Sequence, residues 1–169
     1  GVFEIAYAPA AETTLSLRRG WNFVGNSIMS EQSLADILSK SNTRADDIFG
    51  EIWLWRNGRN QLVTLDQALN PECGYWIYCQ EAFETAPIFG VEADGVIMLQ
   101  PGWNLLCPPY DCTMPSADGI MPMAWQVGGD AFHMADANSA LKAGKGYWLF
   151  VDAAAPITVK LARETQAQP

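Results

Sequence analysis

Gly74-Tyr75-Trp76-Ile77-Tyr78 recurs 72 residues later, with two changes, as Gly146-Tyr147-Trp148-Leu149-Phe150. A second signature, Gly-Trp-Asn, stands upstream of each segment, at Gly20-Trp21-Asn22 and at Gly102-Trp103-Asn104. The order of the signatures is the same in both places, and their spacing changes only where loops are expected. Because self-similarity on this scale is typical of repeated structural units, the sequence indicates an internal duplication.

The two copies differ by ten residues, since the offset is 82 residues at Gly-Trp-Asn and 72 residues at Gly-Tyr-Trp. The extra residues belong to the first copy, where Ser30 followed by Glu and Gln resembles a helix start. Apolar residues then recur at helical spacing, at Leu34, Ile37 and Leu38. The pattern predicts a short amphipathic helix over 31–40. Pro and Gly within 112–119 predict a loop in the second copy.

The remainder of each copy predicts strands, because short apolar segments alternate with turn residues. Asn57-Gly58 between two such segments predicts a tight hairpin. The dipeptides Arg19-Gly20 and Pro101-Gly102 predict a hairpin at the opening of each copy, with Gly at the third position of a type II turn. The predicted strands are Leu15–Arg18, Trp21–Gly25, Glu51–Arg56, Gln61–Leu65, Tyr75–Gln80, Ala86–Val91, Val96–Gln100, Trp103–Leu106, Ala124–Val127, Ala131–Ala135, Tyr147–Val151 and Ile157–Leu161.

These elements predict a mainly β fold of two tandem repeats. Each repeat has about six short antiparallel strands in a barrel-like or sandwich-like unit. The first repeat occupies residues 1–94, with an additional N-terminal strand at Val2–Tyr7 and the one helix. The second repeat occupies residues 95–163, and residues 164–169 form a polar tail that we expect to fray. Whether the repeats form one barrel or two subdomains stays open at this point.

The composition excludes some classes of partner. The chain has 169 residues, of which 49% are hydrophobic and 17% charged, and its net charge is −9, from 10 basic and 19 acidic residues. Without a cluster of Lys and Arg, binding to nucleic acid or to an anionic membrane surface is disfavoured. No apolar run approaches the ~18–20 residues of a membrane-spanning helix. We therefore expect a globular protein with no membrane insertion.

The four cysteines leave two interpretations open. Cys73 and Cys79 bracket the segment 74–78, and two residues six positions apart on a strand are too far from each other to form a disulfide. Cys107 and Cys112 flank a turn-rich loop, so a local disulfide between them is sterically possible. The alternative is that all four are free or buried thiols. The spacings do not match a zinc site, and no metal or other cofactor is predicted.

The aromatic residues give the candidate ligand site. Trp21 and Trp103 recur at the same station, so we interpret them as caps of the core and not as ligand-stacking rings. Trp53 recurs as Trp125 and is interpreted as core. Trp55 aligns with a valine and does not recur, so it is the best candidate for an exposed binding platform, although packing in a core or an interface is the favoured interpretation. Two arginines lie beside it, Arg56 and Arg59.

The Gly-Tyr-Trp strands are apolar on both faces, with Tyr75 and Ile77 on one and Trp76 and Tyr78 on the other. This pattern is typical of a strand that is buried on both sides. The alternative is one face in the core and an exposed aromatic row on the other. We expect Asn22 and Asn104 to stabilise turns by hydrogen bonding.

No signature of a catalytic site is present. The nucleophile elbow, the zinc-protease helix motif, the P-loop and the dinucleotide fingerprint are all missing. His133, Asp130 and Asp136 are the first residues to check for a glycosidase, which needs two carboxyl groups ~5–9.5 Å apart. We therefore expect no enzymatic activity and no catalytic residues.

The pattern of Gly-Trp-Asn, a central aromatic strand and Gly-Tyr-Trp resembles an aromatic repeat of secreted and cell-surface bacterial proteins. The resemblance covers nearly the whole chain, twice. It implies export and a modular surface role in adhesion, scaffolding or envelope association, with another surface protein or a polysaccharide as partner. It carries over no catalytic residues. A start at Gly1 without Met fits an export signal that was removed. The alternative function is a carbohydrate-binding module that uses exposed aromatic residues.

Overall fold

A computed structural model describes residues 9–41, 49–71, 73–127 and 133–164, with the side chains of Phe49 and His133 excepted. The chain is mainly β, as the sequence predicts. The strands are β1 Ala10–Thr13, β2 Ser16–Leu17, β3 Gly20–Gly25, β4 Ile28–Met29, β5 Phe49–Arg56, β6 Arg59–Leu62, β7 Gly74–Cys79, β8 Phe83–Glu84, β9 Ile88–Glu92, β10 Val96–Leu99, β11 Gly102–Leu106, β12 Cys112–Thr113, β13 Ile120–Val127, β14 His133–Asp136, β15 Ala140–Leu141, β16 Gly146–Val151 and β17 Ile157–Lys160.

The helix α1, Leu34–Lys40, lies where the helix was predicted, but it begins later. Ser33 is the N-cap, not Ser30. Its hydroxyl accepts from the Asp36 N–H, and the Asp36 carboxylate accepts from the Ser33 N–H. This capping box satisfies two helix-end donors, which fixes the start of the helix. Ser30 instead donates its hydroxyl to the Phe89 carbonyl at 2.7 Å. The seven residues of α1 leave no described helix long enough to cross a membrane.

The first half of the chain (residues 9–94) is organised around a four-stranded antiparallel sheet with the order β3-β7-β5-β6. We call it the first sheet. The pairs β2-β8 and β1-β9-β4 form two smaller sheets. The Asn57-Gly58 hairpin is confirmed, because Arg56 pairs with Arg59 across two residues whose φ angles are 54° and 74°. Positive φ at both positions is what a type I′ turn requires.

The second half (residues 95–164) has a sheet of equivalent order, β11-β16-β13-β14, which we call the second sheet. The smaller sheets here are β10-β17 and β12-β15. The register also corresponds between the halves. Trp53 lies opposite Trp76 in the first sheet, and Trp125 lies opposite Trp148 in the second. As predicted, residues 114–119 of the second half are not helical.

The Gly-Trp-Asn segments form corners between sheets, and the predicted opening hairpins are wrong. The strands on either side of Gly20 join different sheets, since β2 pairs with β8 and β3 with β7. The same holds in the second half, where β10 pairs with β17 and β11 pairs with β16. Gly20 and Gly102 have φ angles of 94° and 92°, which glycine adopts without strain. The chain therefore turns from one sheet into the next at these two residues.

The two corner asparagines have the turn-stabilising role predicted for them. Asn22 accepts from the Arg18 N–H at 2.9 Å and donates to the Arg18 and Gly20 carbonyls at 2.7 and 3.0 Å. Asn104 repeats the pattern with the Gln100 N–H and carbonyl, both at 2.8 Å, and the Gly102 carbonyl at 3.1 Å. One amide thus satisfies the backbone groups that the corner leaves without strand partners.

Each half has its own apolar core. The first is formed by the inward residues of the first sheet together with α1. The second is formed around Leu141, Leu149 and Val151, all at most 1% exposed. Cα positions of β11 and β5, and of β16 and β3, come close enough to place the two large sheets in contact. The halves therefore have separate cores but share an interface.

The chain ends show one further difference from the prediction. Glu164 lies in the tail expected to fray, yet its N–H donates to the Asp111 carbonyl at 3.0 Å and its carboxylate lies 3.4 Å from the Lys142 ammonium. Residues 165–169 and the predicted strand Val2–Tyr7 lie outside the described residues.

Candidate functional site

The outward face of the first sheet carries an exposed row of aromatic residues. Along β7, Tyr75 and Ile77 point into the core and are 2% and 0% exposed, whereas Trp76 and Tyr78 point outward. The interpretation of this strand as buried on both sides is therefore wrong, and its alternative is correct. Side chains alternate between the two faces of a strand, and only one face of this sheet is covered by a core.

The strand register gathers the outward aromatic rings into one surface. Trp76 has Trp53 on one neighbouring strand and Phe23 on the other. Trp21 lies opposite Tyr78, with ring centroids 5.3 Å apart and planes at 70°. An open depression of about 430 Å³ lies on this surface and is lined by Trp21, Trp53, Asn60 and Trp76. We call it the aromatic depression. The described residues of its lining supply three indoles and one amide, and none of them is charged.

The tryptophans that recur in both halves are not core residues, contrary to the prediction. Trp21 is 47% exposed and Trp103 is 48% exposed. Trp53 and Trp125 are half-buried on the outward faces of their sheets. Their neighbours Ile52, Leu54 and Ala124 fill the cores instead. The recurring tryptophans occupy equivalent positions in the two large sheets, and these positions face away from the cores.

The second sheet has outward rings at most of the same positions, but Leu105 stands where the first sheet has Phe23, and the central ring contacts the first half. Trp103 packs against Phe150 with centroids 5.2 Å apart and planes at 69°, close to the geometry of the Trp21–Tyr78 pair. Trp148 is met edge to face by Trp55 from the first half, with centroids 5.1 Å apart and planes at 83°. The ring of Trp76 at the equivalent position lines the aromatic depression. The contact between the halves thus makes the two aromatic faces unequal.

The predicted platform of Trp55, Arg56 and Arg59 is only partly brought together. Trp55 is half-buried between the halves, and its Nε1–H points to the Trp103 carbonyl at 3.4 Å. Trp55 and Arg56 line one cavity of about 310 Å³, which we call the inter-half cleft. Arg59 is exposed and does not line the cleft. Trp55 packs on Trp148, which agrees with the interpretation that favours core or interface packing over an exposed platform.

The Cys107–Cys112 disulfide that the sequence allowed is not formed. Both residues are buried thiols in different surroundings. Cys112 belongs to the second core, and burial raises its pKa to about 11. Cys107 packs its Sγ against the backbone of Gly25 in the first half, so tightly that a Cβ there would overlap it. Burial, and then the proximity of Cys73, raise the pKa of Cys107 to about 12.

The groups considered for a glycosidase do not form a described pair. The Asp136 carboxylate accepts from the Asn138 N–H at 2.9 Å and the Ser139 hydroxyl at 3.0 Å, within its own exposed turn. Asp130 and the His133 side chain lie outside the described residues. Within the described ranges, no three His, Cys, Asp or Glu side chains gather to form a metal site.

Sequence reasoning missed the aromatic depression because it treated every recurring residue as architecture. The signal was present in the alternation of aliphatic and aromatic residues along Ile52–Trp55 of β5, which indicates two faces of different character. The alternation alone does not indicate which of the two faces packs against a core.

Comparison with known proteins adds nothing to the geometry: no protein-family model, no curated protein and no solved structure matches this chain.

Proposed function

We propose that this chain is a non-catalytic binding module whose ligand is a carbohydrate, held in the aromatic depression. The observation that carries the proposal is the convergence of Trp21, Trp53 and Trp76 on one open surface, where the Trp53 Nε1–H donates to the Glu51 carboxylate at 3.1 Å. Tryptophans on the outward face of the sheet do not pack in the core, so their position favours a role in binding.

The chemistry of the depression suits a neutral sugar. The apolar C–H faces of a sugar ring stack on indole rings, and the Asn60 amide supplies both a donor and an acceptor for hydroxyl groups. The volume of about 430 Å³ falls within the range of small-ligand sites. The Trp21 and Tyr78 rings are inclined at 70°, so this part of the surface is not a flat row of coplanar rings.

A second candidate function is docking to another surface protein through the same face. Leu62 lies directly opposite Trp53 on the sheet and is 59% exposed, so the aromatic surface continues into an aliphatic one. Clusters of Trp and Tyr with aliphatic neighbours are typical of protein interfaces. This reading fits adhesion or scaffolding at a cell surface, as implied by the resemblance to secreted and cell-surface repeats. Location outside the cell is part of the proposal.

An array of neutral glycans probed with the purified chain tests the first candidate against the second. Trp21→Ala and Trp53→Ala should each weaken binding at least tenfold. The matched control is Trp125→Ala. Trp125 is half-buried at the strand position equivalent to Trp53, but it does not line the depression. Binding that survives both substitutions, or an array with no positive glycan, would contradict the carbohydrate proposal and leave protein docking.

A further inference from the structure

The inter-half cleft is a second concave site, separate from the aromatic depression. One wall is the end of the β5–β6 hairpin, residues 55–58, and the other is the β10–β11 corner, residues 97–106. Its volume of about 310 Å³ is that of a site for one or two small rings. Neither half encloses it alone, so it exists only because the two halves pack together.

The charge of the cleft differs from that of the whole chain. Among the described residues that line the cleft, Arg56 is the one charged residue and none is Asp or Glu, although the chain carries a net charge of −9. An Nη atom of Arg56 lies 3.7 Å from the Cys73 Sγ, and Cys73 is itself part of the wall. The guanidinium therefore lies at the cavity and makes no ion pair with a described carboxylate.

The rest of the lining suits a sugar ring. Trp55 and Trp103 contribute aromatic surface, and Trp103 is 48% exposed. Asn57 and Gln100 bring side-chain amides that bond to none of the described residues, so their donors and acceptors are available to hydroxyl groups. An arginine fork binds a carboxylate through two parallel N–H···O bonds, which a neutral sugar cannot form.

We propose that the inter-half cleft binds a carboxylate-bearing sugar, a hexuronate unit, with Arg56 on the carboxylate and the Trp55 and Trp103 indoles beside the ring. This site does not depend on the aromatic depression. The two sites together would let the module hold an acidic polysaccharide at two points, or distinguish an acidic chain from a neutral one.

Calorimetric titration with an oligogalacturonate trimer tests the proposal, with a neutral galactose trimer as the comparison ligand. The acidic trimer should bind with one site per chain, and the neutral trimer at least tenfold more weakly. Arg56→Gln should weaken binding of the acidic trimer at least tenfold. Arg59→Gln is the matched control, because Arg59 lies opposite Arg56 on the same hairpin but outside the cleft.

Three results with the two trimers and the arginine variants would overturn the proposal. The first is that the acidic trimer does not bind saturably. The second is that Arg56→Gln and Arg59→Gln weaken binding of the acidic trimer equally. The third is that the chain binds the neutral trimer as tightly as the acidic one. Trp21→Ala separates this proposal from the proposed function. If that substitution alone removes binding of the acidic trimer, the sugar binds in the aromatic depression and the cleft is not its site. If Trp21→Ala leaves binding of the acidic trimer intact, the cleft proposal is supported even where neutral glycans fail to bind.

Discussion

The ring of Phe23, on the edge strand of the first sheet, packs directly against the backbone of Gly146 in the second sheet. A Cβ on Gly146 would lie less than 3.0 Å from three carbons of that ring, and the same holds for a Cβ on Gly74, the equivalent glycine of the first half. One phenyl ring therefore occupies the space beside both glycines of the Gly-Tyr-Trp signature. These glycines are required by packing, since neither has the positive φ that would call for glycine.

Gly146→Ala should lower the free energy of unfolding by about 1–3 kcal/mol, the usual effect of overpacking. The clash is with Phe23, so the loss should be smaller when Gly146→Ala is introduced into Phe23→Ala. Urea denaturation of the four proteins in this cycle measures the difference. Gly50→Ala is a mild control, because its Cβ meets the movable Tyr78 ring at 3.1 Å. Equal losses in both backgrounds would contradict the packing explanation.

Trp55 and Trp148 should be energetically coupled across the halves. Edge-to-face aromatic pairs contribute about 0.5–1.5 kcal/mol beyond the area they bury. A double-mutant cycle with Trp55→Ala and Trp148→Ala, followed by chemical denaturation, should return a coupling energy of that size. The pair Trp21 and Trp148 serves as the uncoupled control. Additive effects of Trp55→Ala and Trp148→Ala within ~0.3–0.5 kcal/mol would mean that the halves are not held by this contact.

Asn22→Asp and Asn104→Asp should each lower the free energy of unfolding by about 1–3 kcal/mol, because an aspartate cannot donate to the two corner carbonyls. The effects should be similar, since the hydrogen-bond patterns are nearly identical. Thermal unfolding followed by circular dichroism gives the values. Asn60→Asp is the exposed control with no comparable role. If Asn22→Asp leaves the free energy of unfolding unchanged, the side-chain hydrogen bonds of Asn22 do not stabilise the corner.

Cys107 should resist alkylation in the folded protein. Burial raises its pKa to about 12, so the reactive thiolate is scarce at ~pH 8, and the Gly25 backbone blocks access. Iodoacetamide labelling followed by peptide mass spectrometry should find Cys107 unmodified in buffer and fully modified in denaturing urea. Labelling at equal rates in both conditions would mean that the contact between the halves opens readily.

Asp111→Asn should destabilise the protein near neutral pH but not in strong acid. The Ala143 N–H and the Lys142 ammonium, at 2.9 and 3.3 Å, hold the pKa of Asp111 below its usual value of 3.8. A lowered folded-state pKa stabilises the fold above 3.8, and this stabilisation is lost as the pH falls through the lowered pKa. The melting temperatures of the two proteins should therefore converge below pH 3.8. A difference in melting temperature that stays constant down to the lowest pH measured would contradict a stabilising role for the ionised Asp111 carboxylate.

Local features of the fold were predictable because short stretches of sequence determine them. The Asn57-Gly58 hairpin follows from two residues that tolerate positive φ. The helix follows from its apolar spacing, although its start was misplaced because Ser30 and Ser33 both resemble caps. Ser33 is the cap because the Asp36 carboxylate, three residues later, completes a capping box with it.

The candidate site was less predictable because it depends on what covers each face of a sheet. Trp76 and Trp148 occupy equivalent strand positions, and nothing in their local sequences separates them. Trp55 of the first half covers Trp148 at a centroid distance of 5.1 Å, whereas Trp76 lines an open depression. A contact between distant parts of the chain therefore selects which aromatic surface is available to a ligand.

By itself, the sequence determined the mainly β class, the single described helix and the residues at which the chain turns, since each depends on neighbouring residues. Only the tertiary structure decided that Gly20 and Gly102 turn the chain between sheets, and that Trp21 and Trp53 face solvent. Strand pairing joins segments far apart in the chain, and burial depends on the partner that covers a face. Neither is encoded in the alternation of apolar residues along one strand.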